Sequence, residues 1–227
     1  MPIARCVDLL RLVAAAPLPG RPSAARSRLR RDAIELARSE NLADAAYSYR
    51  IVALGAPAAA SLVLGPETLY APQLLPQSGE LTAVACAVCT LGPALGQRVG
   101  ALFAERRASL AAALDELGNE LLMALSRRAQ DRLQADVTRR GLTMAGELRA
   151  GDPGLALSAQ ASVVRLAMGD AIGVTVSPGG LMRPLKSTSM VLGVGVDLPV
   201  VRWSRCDPCP SRHKCRVAMQ AESAALT

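Results

Sequence analysis

The chain has 227 residues, 51% of them apolar and only 2% aromatic, and a formal net charge of +7. That length suits one domain or two closely joined ones with a sizeable core, which must be built from Ala, Leu and Val, and no apolar run is long enough to span a membrane. Six cysteines in a chain of this size, without a convincing export signal, argue against a small disulfide scaffold and for a cytoplasmic protein.

Lys186 and Lys214 are the only lysines among the 26 basic residues, and the arginines are scattered and not gathered in a tail. Such a balance favours an acidic partner or nucleic acid, with an arginine-rich solvated surface as the plain alternative.

Residues 1–22 read as a short amphipathic helix, interrupted by Asp8 and Arg11, followed by a proline-rich hinge at 17–22. A helix is predicted over 23–39 with Ser23 as its cap. Strands follow at 47–54 and 60–64, split by Gly55-Ala-Pro57, and a short element at 69–75 leads to Ser78-Gly79. Residues 81–90, LTAVACAVCT, do not alternate cleanly and predict a strand buried on both faces. Leu110, Leu114, Leu117, Leu121, Leu125, Leu133 and Val137 then recur at helical spacing, giving one long amphipathic helix, or two in line, ending near Gly141. Gly118 in its middle costs about 1 kcal/mol against alanine, so a close approach of another backbone is expected there. Asp115 and Glu120 read as a solvated face.

A turn at Asp152-Pro153-Gly154 precedes a helix over 158–168. Residues 172–176 predict a strand whose partner is 190–196. The loop between them carries Pro178-Gly-Gly180 and Pro184, with Lys186, Ser187 and Ser189 as donors that could face a ligand.

The most specific local pattern is Cys206-x2-Cys209-x5-Cys215, punctuated by Pro208 and Pro210. Three thiols within ten residues of irregular backbone can converge on one metal centre. Disulfides rank last. Zinc needs four ligands, and the single histidine, His213, sits too close to Cys215 for easy joint ligation. An iron–sulfur cluster, 4Fe-4S in type, with three thiolates from this loop and one from elsewhere, is the leading reading. The x2/x5 spacing resembles the C-terminal iron–sulfur staple of certain nucleases. Cys89, then Cys86, then Cys6 are the candidates for the fourth ligand.

Three stretches, in order, resemble the activation-domain family of cobalamin-dependent methionine synthase, especially its stand-alone, corrinoid-associated members with a C-terminal cysteine cluster. They are Cys89-Thr-Leu-Gly92 with Leu114-Asp-Glu-Leu-Gly118, the segment RAGDPGLALSAQ from Arg149 to Gln160, and Ile172 to Ser177 through Met182, Pro184, Lys186 and Ser187. The resemblance implies an α+β fold, a curved antiparallel sheet flanked by helices with a C-terminal metal-cluster loop. It divides the chain into an N-terminal helix and hinge (1–22), an activation-like domain (23–200) and a cluster-binding tail (201–227). It also implies a domain lying over a cobalamin held by a partner and binding S-adenosylmethionine. On that footing Arg149, Pro153 and Gly154 touch the S-adenosylmethionine carboxylate and main chain, and the loop with Ser177, Met182, Pro184, Lys186 and Ser187 faces the cofactor. Leu155 stands where the family has tyrosine, and Pro178 where it has an acid.

The leading functional expectation is therefore an accessory protein of corrinoid-dependent methyl transfer, a methyltransferase or reductive-activation component. It would reactivate or reduce the corrinoid of a corrinoid protein or corrinoid methyltransferase with an electron from the cluster. The rivals are an iron–sulfur-stapled nucleic-acid-binding module, weakened by the lack of interleaved aromatics, and a structural subunit without chemistry. No P-loop, dinucleotide fingerprint or Ser/His/Asp triad is present.

Overall fold

The strand expected at 81–90 is the centre of the molecule, and its composition explains why. The computed structural model describes residues 3–16, 22–55 and 61–199. The elements in chain order are β1 (Ile3–Arg5), α1 (Leu9–Ala15), α2 (Ala24–Ser39), β2 (Ala46–Ala53), β3 (Ser61–Leu64), β4 (Glu67–Tyr70), β5 (Glu80–Thr90), α3 (Ala94–Ala104), α4 (Ala108–Thr138), β6 (Thr143–Leu148), α5 (Gln160–Leu166), β7 (Thr175–Val176), β8 (Met182–Arg183) and β9 (Ser187–Val196). One five-stranded sheet, order β1-β2-β5-β9-β6, is antiparallel throughout. With helices packed on it, this is the α+β architecture expected from the sequence. The cysteine cluster of the tail, most of the 17–22 hinge and Pro57 lie outside the described residues.

Along β5 the side chains alternate between two apolar layers. Ala83, Ala85, Ala87 and Cys89 face a core shared with α1 to α4, while Val84, Cys86 and Val88 face one shared with β3, β4 and α5. Both layers are buried, so the run reads as continuously apolar and not as alternating. The alanines on the helix side leave room for α4, whose Leu114, Leu117, Leu121, Leu125, Leu133 and Val137 are at most 1% exposed. Each fully buried leucine contributes about 1.5–3 kcal/mol, so this stripe holds the helix on the sheet.

Several local expectations hold. Ser23 caps α2, its Oγ accepting from the Arg26 amide at 3.2 Å. The leucine periodicity gives one continuous helix, α4. Gly118 does mark a close approach, but by side chains: a Cβ there would lie 2.8 Å from Leu95 Cδ2 and 3.2 Å from Lys186 Cε. Asp115 and Glu120 do not face solvent alone. Lys186 lies 2.7 Å from Asp115, and Arg30 grips Glu120 through both carboxylate oxygens at 2.7 and 2.6 Å.

The main correction concerns β9. The sequence pairs residues 190–196 with 172–176, yet β9 lies between β5 and β6, and β7 pairs with β8 in a separate two-stranded ribbon. A strand as apolar as MVLGVGV needs neighbours on both edges and cover on both faces, and a two-residue ribbon offers neither. Gly195 permits the tight pairing, since a Cβ there would sit 1.9 Å from the Glu80 carbonyl oxygen. β1, α3 and β6 are elements that periodicity did not single out.

Candidate functional site

At the end of the sheet where β9 begins, α4, the turn after β6, α5 and β9 enclose a cleft of ≈ 400 Å³. Arg149, Asp152, Gln160, Met182, Ser187, Thr188 and Ser189 line it, with Asn119, Leu122 and Met123 from α4. Two distant sequence stretches meet here for a simple reason. Leu148 pairs with Val191, which lays the chain leaving β6 alongside the start of β9.

Arg149 is 12% exposed and heavily engaged. Its Nε and Nη2 donate to Glu147 Oε1 at 2.9 and 2.7 Å, Nη1 donates to Thr188 Oγ1 at 2.6 Å, and Nη2 also reaches Ser126 Oγ at 3.2 Å. Its backbone N–H donates to Asp152 Oδ2 at 3.0 Å, closing the turn. Glu147, 18% exposed, also accepts from Gln130 Nε2 at 2.7 Å. The guanidinium charge is thus answered inside the protein, and four of its five N–H donors are engaged there.

On the far wall the first residue of α5, Gln160, is 4% exposed. Its Nε2 donates to Ser189 Oγ at 2.8 Å and points at Met182 Sδ at 3.5 Å. Ser187 Oγ donates to Thr90 Oγ1 at 2.8 Å, and Thr90 Oγ1 in turn accepts from the Gly92 amide at 3.2 Å. These bonds fix the start of β9 against the end of β5.

Of the residues the sequence singled out, Arg149, Met182 and Ser187 come together in this cleft. Lys186 stands beside it, its Nζ donating to Asn119 Oδ1 at 2.8 Å. Pro184 does not join them. With Arg183 and Leu185 it lines a second cleft of ≈ 700 Å³ beside Thr90, Gly92 and Gln97. Pro153 is exposed at the tip of its turn, and Gly154, with φ +89°, packs against Gln73. Ser177 Oγ accepts from the Leu181 amide at 3.1 Å, serving its own turn. Gln160, Asp152 and Thr188 complete the cleft, and Glu147 pairs with Arg149 behind it, without having been marked as site residues. The signal that could have found them was proximity in sequence, since each lies within a few residues of a position already singled out or closes the segment that contained it.

The thiols divide by burial. Cys86 and Cys89 are 0% exposed on opposite faces of β5, and burial pushes both thiols up to about 12. Cys6 is half-buried at the sheet edge. Val196 pairs with Glu80, whereas Thr188 pairs with Cys89. The chain therefore leaves β9 ~26 Å from Cys89, at ~3.3 Å per residue. Among the described residues no group of three or more His, Cys, Asp or Glu side chains could hold a metal ion. Cys206, Cys209 and Cys215 lie outside the described residues.

A crystal structure of the MetH reactivation domain bound to AdoHcy superposes on this protein with a TM-score of 0.65 over 87% of this chain and 79% of that chain, at 12% sequence identity. The chain has the fold of the MetH reactivation domain. The resemblance drawn from Cys89–Gly118, Arg149–Gln160 and Ile172–Ser187 is met at the level of fold, and the antiparallel sheet flanked by helices is common to both. No family model matches the sequence, and no curated protein matches it. Among the described residues no helix is long and apolar enough to cross a membrane.

Proposed function

We propose that this protein is an accessory factor of corrinoid-dependent methyl transfer, which docks on a corrinoid protein or methyltransferase and takes part in reactivating its cobalt. The observation that carries this reading is the cleft. On the fold of the MetH reactivation domain, Arg149, Met182 and Ser187 from two separate segments converge on one cavity of mixed polar and apolar lining. Its volume accommodates a nucleoside-sized ligand, and the neighbour is described as bound to AdoHcy, so an S-adenosyl compound is the first ligand to test. The +7 charge, carried almost wholly by arginine, suits an acidic partner.

We place the iron–sulfur cluster on Cys206, Cys209 and Cys215, because three thiols within ten residues are the donor set that such a cluster uses. When bound, the cluster would supply a single low-potential electron. Cys86 and Cys89 are fully buried in the two apolar layers on either side of β5. Cys6 is the described thiol that can be reached without opening the core, which moves it ahead of Cys89 as the fourth donor. The second role for the cluster, stapling the tail to the body, uses the same ligands.

The test is anaerobic purification with iron and sulfide analysis, followed by mixing the dithionite-reduced protein with a cob(II)alamin-loaded corrinoid protein. About four irons per chain and one-electron formation of cob(I)alamin, followed by its absorbance, are expected. An iron-free protein removes the cluster, and an iron-loaded protein that leaves cob(II)alamin unchanged removes the electron-transfer role. Tight nucleic-acid binding that weakens steeply with salt would favour the rival module.

A further inference from the structure

The start of β9 runs past the end of its neighbour in the sheet. Leu148 and Val191 form the last pair between β6 and β9, after which the chain turns away at Arg149, whose backbone N–H goes to Asp152 Oδ2. Residues 187–190 lie beyond that pair and are held by β5 on one edge only.

Two bonds fix which way the backbone of β9 faces. The Leu91 N–H donates to the Lys186 carbonyl at 2.9 Å, so Lys186 faces β5 and Ser187, opposite Thr90, faces away from it. Toward the other end Gly195, opposite Thr143, turns its carbonyl to β6 and accepts from Thr143 Oγ1 at 3.1 Å. Alternate residues from Ser187 onward therefore aim N–H and C=O at the β6 side. Val191, Gly193 and Gly195 meet β6 there, and Ser187 and Ser189 lie beyond its end. Among the described residues nothing pairs with the backbone N–H or C=O of either serine. Yet Ser187 is 9% exposed and Ser189 2%. Buried backbone groups are almost always paired, with protein or with water. The space left where the next rungs of the ladder would form is the ≈ 400 Å³ cleft, with Ser187, Thr188 and Ser189 on one side and Arg149 and Ala150 on the other.

The shape of the gap narrows what fills it. The Ser187 carbonyl and the Ser189 N–H are an acceptor and a donor two residues apart on one strand edge, and a flat group with a donor and an acceptor on neighbouring atoms can span them. Leu122 belongs to the core on the helix side of the sheet and Met182 to the core on the other side, and both line the cleft. A group in the gap thus lies in the plane of the sheet between two apolar surfaces. An added peptide strand would run into the turn at Arg149, whereas a heteroaromatic ring satisfies both the edge and the walls.

We infer that this cleft seats an adenine-type ring by its amidine edge, the exocyclic amino group donating to the Ser187 carbonyl and the adjacent ring nitrogen accepting from the Ser189 N–H. This rests on the cleft being a ligand site, as in the function proposed above, and deepens it, since it assigns the base of an S-adenosyl compound to the free edge of β9.

The experiment combines amide hydrogen exchange, read by nuclear magnetic resonance on the full chain, with calorimetry using adenosine, S-adenosylhomocysteine, purine riboside and 1-deazaadenosine. In the free protein the Ser187 and Ser189 amides should exchange about 100-fold faster or more than those of Thr188 and Met190, which face β5. Adenosine should slow the Ser189 amide by about 10-fold or more. Purine riboside lacks the amino group and 1-deazaadenosine the ring nitrogen, so each should bind about 10-fold more weakly than adenosine or worse. A Ser189 amide as protected as that of Thr188 in the free protein overturns the inference. So does binding of either analogue within about 3-fold of adenosine, or the failure of both adenosine and S-adenosylhomocysteine to bind. Any of these results beside intact reduction of cob(II)alamin leaves the corrinoid reading standing. Adenine-selective binding with the expected exchange pattern but no effect on cobalt would instead sink the corrinoid reading alone.

Discussion

Replacing Arg149 with methionine tests the charge arrangement of the cleft directly. The methionine keeps most of the apolar stem but deletes four side-chain hydrogen bonds, to Glu147 twice, Thr188 and Ser126. Glu147 is then left 18% exposed with Gln130 as its remaining partner. Breaking a fully buried ion pair typically costs about 3–5 kcal/mol, because the surviving charge is stranded. Partial exposure and the Gln130 bond reduce this, so we expect Arg149→Met to lose about 2–3 kcal/mol. Glu147→Gln strands the guanidinium, which keeps Thr188 and Ser126, and should lose about 1–2 kcal/mol. If the two residues neutralise each other, the double variant falls short of the sum by about 1–2 kcal/mol. Urea denaturation followed by circular dichroism, with an unchanged m value, measures all three. The reasoning is refuted if Arg149→Met costs less than about 0.5 kcal/mol, or if the two losses simply add to within about 0.3–0.5 kcal/mol.

Other consequences can be checked separately. Gly195→Ala drives a Cβ to 1.9 Å from the Glu80 carbonyl oxygen. Backbone cannot move aside as a side-chain tip can, so at least about 3 kcal/mol should be lost, seen as a large fall in Tm or as insoluble protein. Iodoacetamide labelling of the native apoprotein at pH 8, read by mass spectrometry, should modify Cys6 while sparing Cys86 and Cys89, whose thiols are pushed up to about 12. All six cysteines should react in denaturant. Arg165 hydrogen-bonds Glu67 at 2.6 Å and holds its carboxyl below the ordinary value of 4.5. That contribution is complete above pH ~4.5 and disappears as the pH falls through the folded-state value. Arg165→Gln should therefore flatten the acid limb of the stability profile, and an unaltered limb would count against the pair. Leu121→Ala, in the buried stripe of α4, should cost about 3–4 kcal/mol in the same urea assay.

The sequence by itself determined the parts whose physics is local. The leucine period of α4, the Ser23 cap and the doubly apolar text of β5 each follow from side chains within a few residues of one another. It also marked Arg149, Met182 and Ser187 as residues of interest. Only the tertiary structure decided that β9 lies between β5 and β6, because strand pairing depends on which edges remain free once every other element is packed. Only it decided the charge state of the cleft. Arg149 reads as a free cation in the text, and becomes an internal partner because the strand carrying Glu147 and the start of β9 meet around it. Gln160, a buried amide whose Nε2 meets Ser189 Oγ and Met182 Sδ, has no meaning until those segments are brought together.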